Sequence, residues 1–411
     1  MVMTEMLHLH GFDHQFVDYS GVTLDERYAV FYVSDVMDEE ALTESGPFAG
    51  VLRYDLINHT TDFVSYGHKP YILNYSDAGR WIYYTYLSWE GRTAVLAIHQ
   101  LDCRSMQAKE VYILRLTDEL AESTEVSVIS RMGLYGLNER YLLVSLPDLD
   151  PFSKKRNSGF TGYLLIDVEL GQSFPVPERI GPNDRIVHLS YTSVFEQDHI
   201  EQLMIVTGRI GVSEKRAAWD YSQYDMLEGT AIQSVVIIPL EQFVQNVRNH
   251  LPIDETFIID QCDPAHGYAG ISRRGSSLFL CKQHFSENSS ELCTYGLKDR
   301  QMERRGLDEC YDNIYIGEDL KKFGIRTSEP LDQIYDLDSG ELLYTASDQY
   351  TMARMINSRC MRTRKFIAEQ NGLLLQLIDI YTLQVIGTVT GRWASISYIP
   401  EAGVYLCSER I

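Results

Sequence analysis

One phrase recurs along this chain, and it limits the folds open to it more than any other feature. Residues 163–176 read YLLIDVELGQSFPV, and similar phrases return as QIYDLDSGELLYTA at 333–346 and LQLIDIYTLQVIGTV at 375–389. In each, an apolar run ends in an aspartate (Asp167, Asp336, Asp379), passes a short polar or Gly-containing corner, and resumes as a second apolar run. Apolar and β-branched residues suit a pleated, half-buried surface. Asp suits the corner because it bonds its own backbone, and Gly because it reaches positive φ without strain. Each phrase therefore predicts a β-hairpin. Fainter copies with Asp55 and Asp102 lie at 51–66 and 97–114, and degenerate ones at 234–243 and 291–306, which makes seven.

A second kind of hairpin alternates with the first: an apolar strand, a tight corner such as DAGR or LNER, and an aromatic-rich strand. Clear examples span 15–35, 70–87, 131–146, 267–283 and 395–408, with weaker ones at 186–208, 313–328 and 353–369. Two alternating hairpins make a unit of four short strands, and a unit repeated every few tens of residues is the pattern of a β-propeller. The Asp landmarks at 55, 102, 167, 336 and 379 are unevenly spaced, which loop insertions would explain. The alternative is a large β-sandwich, which seldom repeats one hairpin pair along a whole chain. The fold expected is all-β, a propeller of seven or eight four-stranded blades. Residues 4–12 are expected to pair beside 395–408, so that N- and C-terminal strands close the ring and remove exposed sheet edges.

The chain thus resembles β-propeller repeat proteins at the level of fold. It lacks the G-H and W-D dipeptides of WD repeats, the Gly-Gly of kelch repeats and the S-x-D-x-G-x-T-W box of sialidase-like propellers. No low-complexity linker interrupts it, so 1–411 reads as one domain with face loops at 147–161 and 209–231. Phe243, Val244, Val247 and Leu251 fall at helical spacing and predict a short helix inside one connection.

A net charge of −22 repels phosphate, so neither nucleic acid nor an anionic membrane is expected as a partner. Seven cysteines form no C-x-x-C pair and cannot all be bridged, which fits a reducing compartment. The opening residues have neither a basic start nor a long apolar core, and the expected location is cytoplasmic.

Phosphate-loop, H-E-x-x-H and G-x-S-x-G patterns are absent from the sequence. In HLHGFDH, His8 and His10 share a strand face with His14 close behind, and imidazoles with a carboxylate suit a divalent metal, the one cofactor the pattern admits. An alternating polar strand face explains the same residues.

The loops that lead into the first strands carry His14, His68, Arg185, His266, Tyr311, Tyr350, Arg354, Arg392 and Trp393. In a propeller such loops crowd around the axis. There His14, His68 and His266 would serve as acid and base, and the arginines and aromatics would bind an anionic small molecule. Loops that simply meet water would be just as polar. Two readings follow: a module that presents one face to a protein or peptide partner, or an enzyme (lyase, isomerase or cyclase) with an axial pocket.

Overall fold

Seven four-stranded antiparallel sheets follow one another along the chain, each built from strands consecutive in sequence. They are numbered here 1 to 7 and occupy residues 15–65, 72–115, 133–175, 184–262, 266–307, 313–345 and 351–391. An eighth, three-stranded sheet joins Ser395–Ile399, Val404–Ser408 and Met3–Met6. The structure is a computed structural model. It describes residues 3–6, 15–35, 50–65, 72–91, 93–115, 133–147, 161–177, 179–180, 184–211, 232–284, 287, 289–328, 331–367, 372–391, 395–400 and 403–408. Most of the expected face loops 147–161 and 209–231 lies outside these. Among the described residues no helix is long and apolar enough to cross a membrane, and six cysteines (103, 262, 281, 293, 310 and 360) are free thiols.

In the eighth sheet Met3–Met6 run parallel to Val404–Ser408, with Met3 opposite Val404 and Met6 opposite Cys407. Residues 7–12 of the expected terminal strand lie outside the described residues. Contacts divide the chain into two compact units. One, His68–Pro264, holds sheets 2, 3 and 4; the other, Met1–Gly67 with Ala265–Ile411, holds sheets 1, 5, 6, 7 and the terminal sheet.

Middle strands are apolar on both faces where a sheet packs between two others of its unit, as sheet 3 does. In strand Tyr141–Pro147, Leu142 and Val144 pack with Tyr83, Leu96 and Ile98 of sheet 2. Tyr141 and Leu143 pack with Leu203, Ile205 and Val236 of sheet 4. A two-sheet sandwich would leave one face of every sheet in water, so this alternation favours the propeller. Burial of each such Leu contributes about 1.5–3 kcal/mol. In the second unit the sheets pack in the same serial way: 5 on 6 through Leu307 and Leu337, 6 on 7 through Phe323 and Met361, 7 on the terminal sheet through Leu377 and Tyr405, and the terminal sheet on 1 through Leu406 and Phe31.

One corner recurs in six sheets. In four of them the Asp that ends the third strand accepts the backbone N–H groups two and three residues on, Asp55 those of Ile57 and Asn58 and Asp379 those of Tyr381 and Thr382. Asp102 takes the N–H of Arg104 and the hydroxyl of Ser105. The residue four places later is left-handed: His59, Met106, Gly171, Arg300, Gly340 and Leu383. In sheet 5 Gly296 stands where the others have Asp, yet Arg300 N–H still bonds its carbonyl.

An arginine in the corner between the first two strands clasps the Asp in four sheets: Arg27 to Asp55 (2.6 Å), Arg80 to Asp102 (3.5 Å), Arg140 to Asp167 (2.9 Å) and Arg359 to Asp379 (2.8 Å). In these four sheets the two kinds of hairpin are thus locked together by an ion pair. Sheet 4 departs from the rule. Its third strand ends at Pro239 and continues into helix Leu240–Arg248, which buries Phe243, Val244 and Val247. Leu251, placed in that helix by its spacing, lies beyond it and is exposed.

Candidate functional site

Between sheets 6 and 7 lies a cavity of about 280 Å3. It is walled by the start of sheet 6 (Asp312, Asn313), its second and third strands (Ile325, Thr327, Leu331, Asp332), and the loop and first strand of sheet 7 (Gln349, Thr351, Met352, Ala353, Arg354). Two carboxylates, two amides, two hydroxyls and one guanidinium face one space with four apolar groups.

Both carboxylates are fixed by backbone. Asp312 donates its N–H to the carbonyl of Ile325 (3.0 Å) and accepts the N–H of Thr327 at Oδ2 (2.5 Å), which pins it across the mouth of the first hairpin. Asp332 is buried, and its Oδ2 accepts the N–H of Ala353 from the neighbouring sheet (2.8 Å). Thr351–Met355 is an edge strand, so that N–H would otherwise lack a partner, and the bond ties sheet 6 to sheet 7 at the cavity wall.

The loop beyond is set by Asp348. Its carboxylate takes the Lys365 ammonium at 2.6 Å and the N–H of Tyr350 at 3.0 Å. Those bonds hold Asp348 below the usual carboxylate range, Lys365 foremost. Tyr344 stands close by; burial first, then the charges of Asp332 and Asp348, push its phenol up. Arg354 is different. It is exposed and lines the cavity, and among the described residues no carboxylate pairs with it.

Of the residues singled out from sequence, Arg354 lines this cavity, and so does Asp312, the chain neighbour of Tyr311. Tyr311 is 7% exposed and belongs to the core, its ring against Tyr335 with centroids 5.8 Å apart; burial pushes its phenol up. Tyr350 is 63% exposed and is not part of the lining, to which its neighbours Gln349 and Thr351 belong. His266 begins the first strand of sheet 5 and sets its ring edge-on to His284 at 4.3 Å. Arg185 lies in strand Asp184–Gln197, opposite Ile210, in the other unit. His8, His10, His14, His68, Arg392 and Trp393 lie outside the described residues. Among the described residues no three His, Cys, Asp or Glu side chains gather as metal ligands would.

Asp332, Gln349 and Thr327 were not singled out. Their signal was faint: an acid in the second position of an apolar strand, and polar residues at strand ends, each common on a wet surface.

No family model matches the sequence, and no curated protein matches it. Among solved structures the chain is similar to dipeptidyl peptidase 4 of Porphyromonas gingivalis, with a TM-score of 0.50 and 9% identity over 96% of this chain and 56% of that one. It is also similar to the β-propeller domain of the Trilobed protease from Pyrococcus furiosus (TM-score 0.42, 13% identity, 89% and 95% covered) and to an oligogalacturonate lyase from Vibrio parahaemolyticus (0.41, 9%, 92% and 89%). The chain spans little more than half the length of the first of these. Identities this low speak to fold alone; the serial four-stranded sheets described above are themselves those of a β-propeller.

Proposed function

We propose that this chain is a protein- or peptide-binding propeller module, and that the cavity between sheets 6 and 7 holds a side chain or chain end of the partner. Arg354 carries the reading: an exposed guanidinium with no described carboxylate partner, on the wall of a cavity that also offers two fixed carboxylates. An unneutralised cation beside anchored anions suits a group bearing both charges, as peptides do at their ends and along their side chains. The cavity, at about 280 Å3, is at the small end of ligand sites, which favours part of a larger partner over a whole cofactor.

Selection from a random peptide library displayed on phage tests this. Peptides enriched on the wild-type protein and lost on Arg354→Ala support the reading, and no enrichment on wild type removes it. The carboxylate pair favours a second reading as an acid–base enzyme, since such work needs two acids whose environments differ. Asp312 is exposed and Asp332 buried, as that chemistry asks. Turnover of a small anionic substrate that Asp312→Asn abolishes, with peptide selection blank, would decide for the enzyme.

A further inference from the structure

Asp332 is a buried group of the cavity wall that the protein itself matches poorly. Only 9% of it is exposed, and one N–H, that of Ala353, reaches its carboxylate, at Oδ2. Asp55, Asp167 and Asp379 are buried to a similar degree, yet each holds an arginine and two N–H groups of its own turn. Among the described residues no lysine, arginine or histidine pairs with Asp332, nor with Asp312, which lines the same space. Arg354, on the same wall, meets neither.

A buried carboxylate without a countercharge is costly, and folded proteins keep few of them. One that also opens on a cavity is suited to a cation from outside. The walls indicate which cation. Ile325, Leu331, Met352 and Ala353 make part of the lining apolar. A lysine or arginine carries its charge on an apolar stem and fits such walls. A chain terminus would bring in the N–H and C=O groups of its own backbone, which need partners there. The cavity, at about 280 Å3, has room for one such side chain. A net charge of −22 also draws basic segments towards the protein.

We infer that the cavity receives a lysine or arginine side chain of the partner, held by Asp332 and Asp312, with Arg354 left for an acidic residue nearby in the same segment. The inference rests on the binding-module reading and gives the inserted group its chemistry.

The test extends the selection from a random peptide library. Sequences enriched on the wild-type protein should carry lysine or arginine at one fixed position. For a synthetic peptide of that sequence, fluorescence anisotropy should show binding weakened about tenfold or more when arginine is replaced by citrulline, or lysine by norleucine. These keep the length of the side chain and lose its charge. Asp332→Asn should weaken the basic peptide by a similar factor and leave the neutral one unchanged, because an amide oxygen can still accept the Ala353 N–H. Asp312→Asn should act in the same direction, while Glu303→Gln, which removes an exposed charge from the fourth strand of sheet 5, should change neither peptide. Having lost an unmatched charge, Asp332→Asn should melt no lower than wild type. Equal binding of the basic and neutral peptides, equal weakening of both by Asp332→Asn, or a melting temperature well below wild type would each overturn the inference. So would binding that is lost on acetylating the peptide N-terminus and indifferent to the side chain. Enriched peptides that need Arg354 but share no basic position would leave the binding module standing while this inference falls, and a blank selection would remove both.

Discussion

Arg140 and Asp167 lie 27 residues apart in the chain, and the guanidinium of one meets the carboxylate of the other through bonds of 3.1, 3.1 and 2.9 Å. The Asp167 side chain is wholly buried, and it also takes Nη2 of Arg248 at 2.5 Å and the N–H groups of Glu169 and Leu170 at 3.1 Å. A buried carboxylate costs stability unless every partner is present. Asp167→Ala leaves two arginines facing each other without their anion and should cost about 3–5 kcal/mol. Urea denaturation measures it; a loss under 1 kcal/mol would mean the pair contributes little.

Acid should unfold the protein through these corners. Asp55 is held below the usual carboxylate range chiefly by Arg27. Burial works against Asp167 and Asp379, yet the hydrogen bonds of Arg140 and Arg359 bring both below it as well. A carboxyl whose folded value is depressed contributes its full stability above the unfolded value, about 3.9, and loses it as pH falls through the folded value. The urea midpoint should hold from pH 7 to about 5 and drop steeply below about 4. A midpoint unchanged at pH 3 would contradict this.

Removing residues 1–6 strips the strand that pairs with Val404–Ser408 and bares that edge. The truncated protein should melt about 3 °C lower or more and aggregate more readily. An identical melting temperature would show that the parallel pairing adds nothing.

Gly324 has no room for a side chain. A methyl group there would lie 2.3 Å from the Tyr311 ring and 2.8 Å from Leu337. Gly324→Ala should cost about 1–3 kcal/mol, while Gly306→Ala, where nothing lies within 4 Å, serves as the control. Because Tyr311 adjoins Asp312, the same change should weaken whatever the cavity binds. Equal stability of the two variants would refute the packing argument.

The left-handed corner residue offers the reverse case. Leu383 adopts φ 56° and is 53% exposed. A non-Gly residue pays roughly 1–2 kcal/mol in that region, partly offset by the entropy Gly loses on folding. Leu383→Gly should therefore raise the melting temperature by a few degrees, and a lower one would show that Leu383 packs more than its exposure suggests.

The hairpins could be read because strand periodicity and turn chemistry are local, and the Asp that ends each third strand is a local signal too. Its partner was just as visible, written as DERY, AGRW, NERY and NSRC at 25–28, 78–81, 138–141 and 357–360. Nothing in one sequence says that Arg27 and Asp55 meet, because that pairing depends on strand register. The cavity was harder still. Arg354 and Asp312 could be placed near strand starts, but Asp332 becomes a wall only because Ala353 of the next sheet presents its N–H to it. Tyr311 and Tyr350 have the same composition and similar loops, and whether each is core or surface is decided by neighbours such as Gly324.

Sheet 4 has no Asp corner of its own, and its helix sends Arg248 across to the Asp167 of sheet 3. Opening that helix would take from a buried anion in the neighbour one of its two guanidiniums, so sheet 3 shares the penalty when sheet 4 loosens. In native-state hydrogen exchange the amides of strand Tyr141–Pro147 and helix Leu240–Arg248 should consequently open as one cooperative unit.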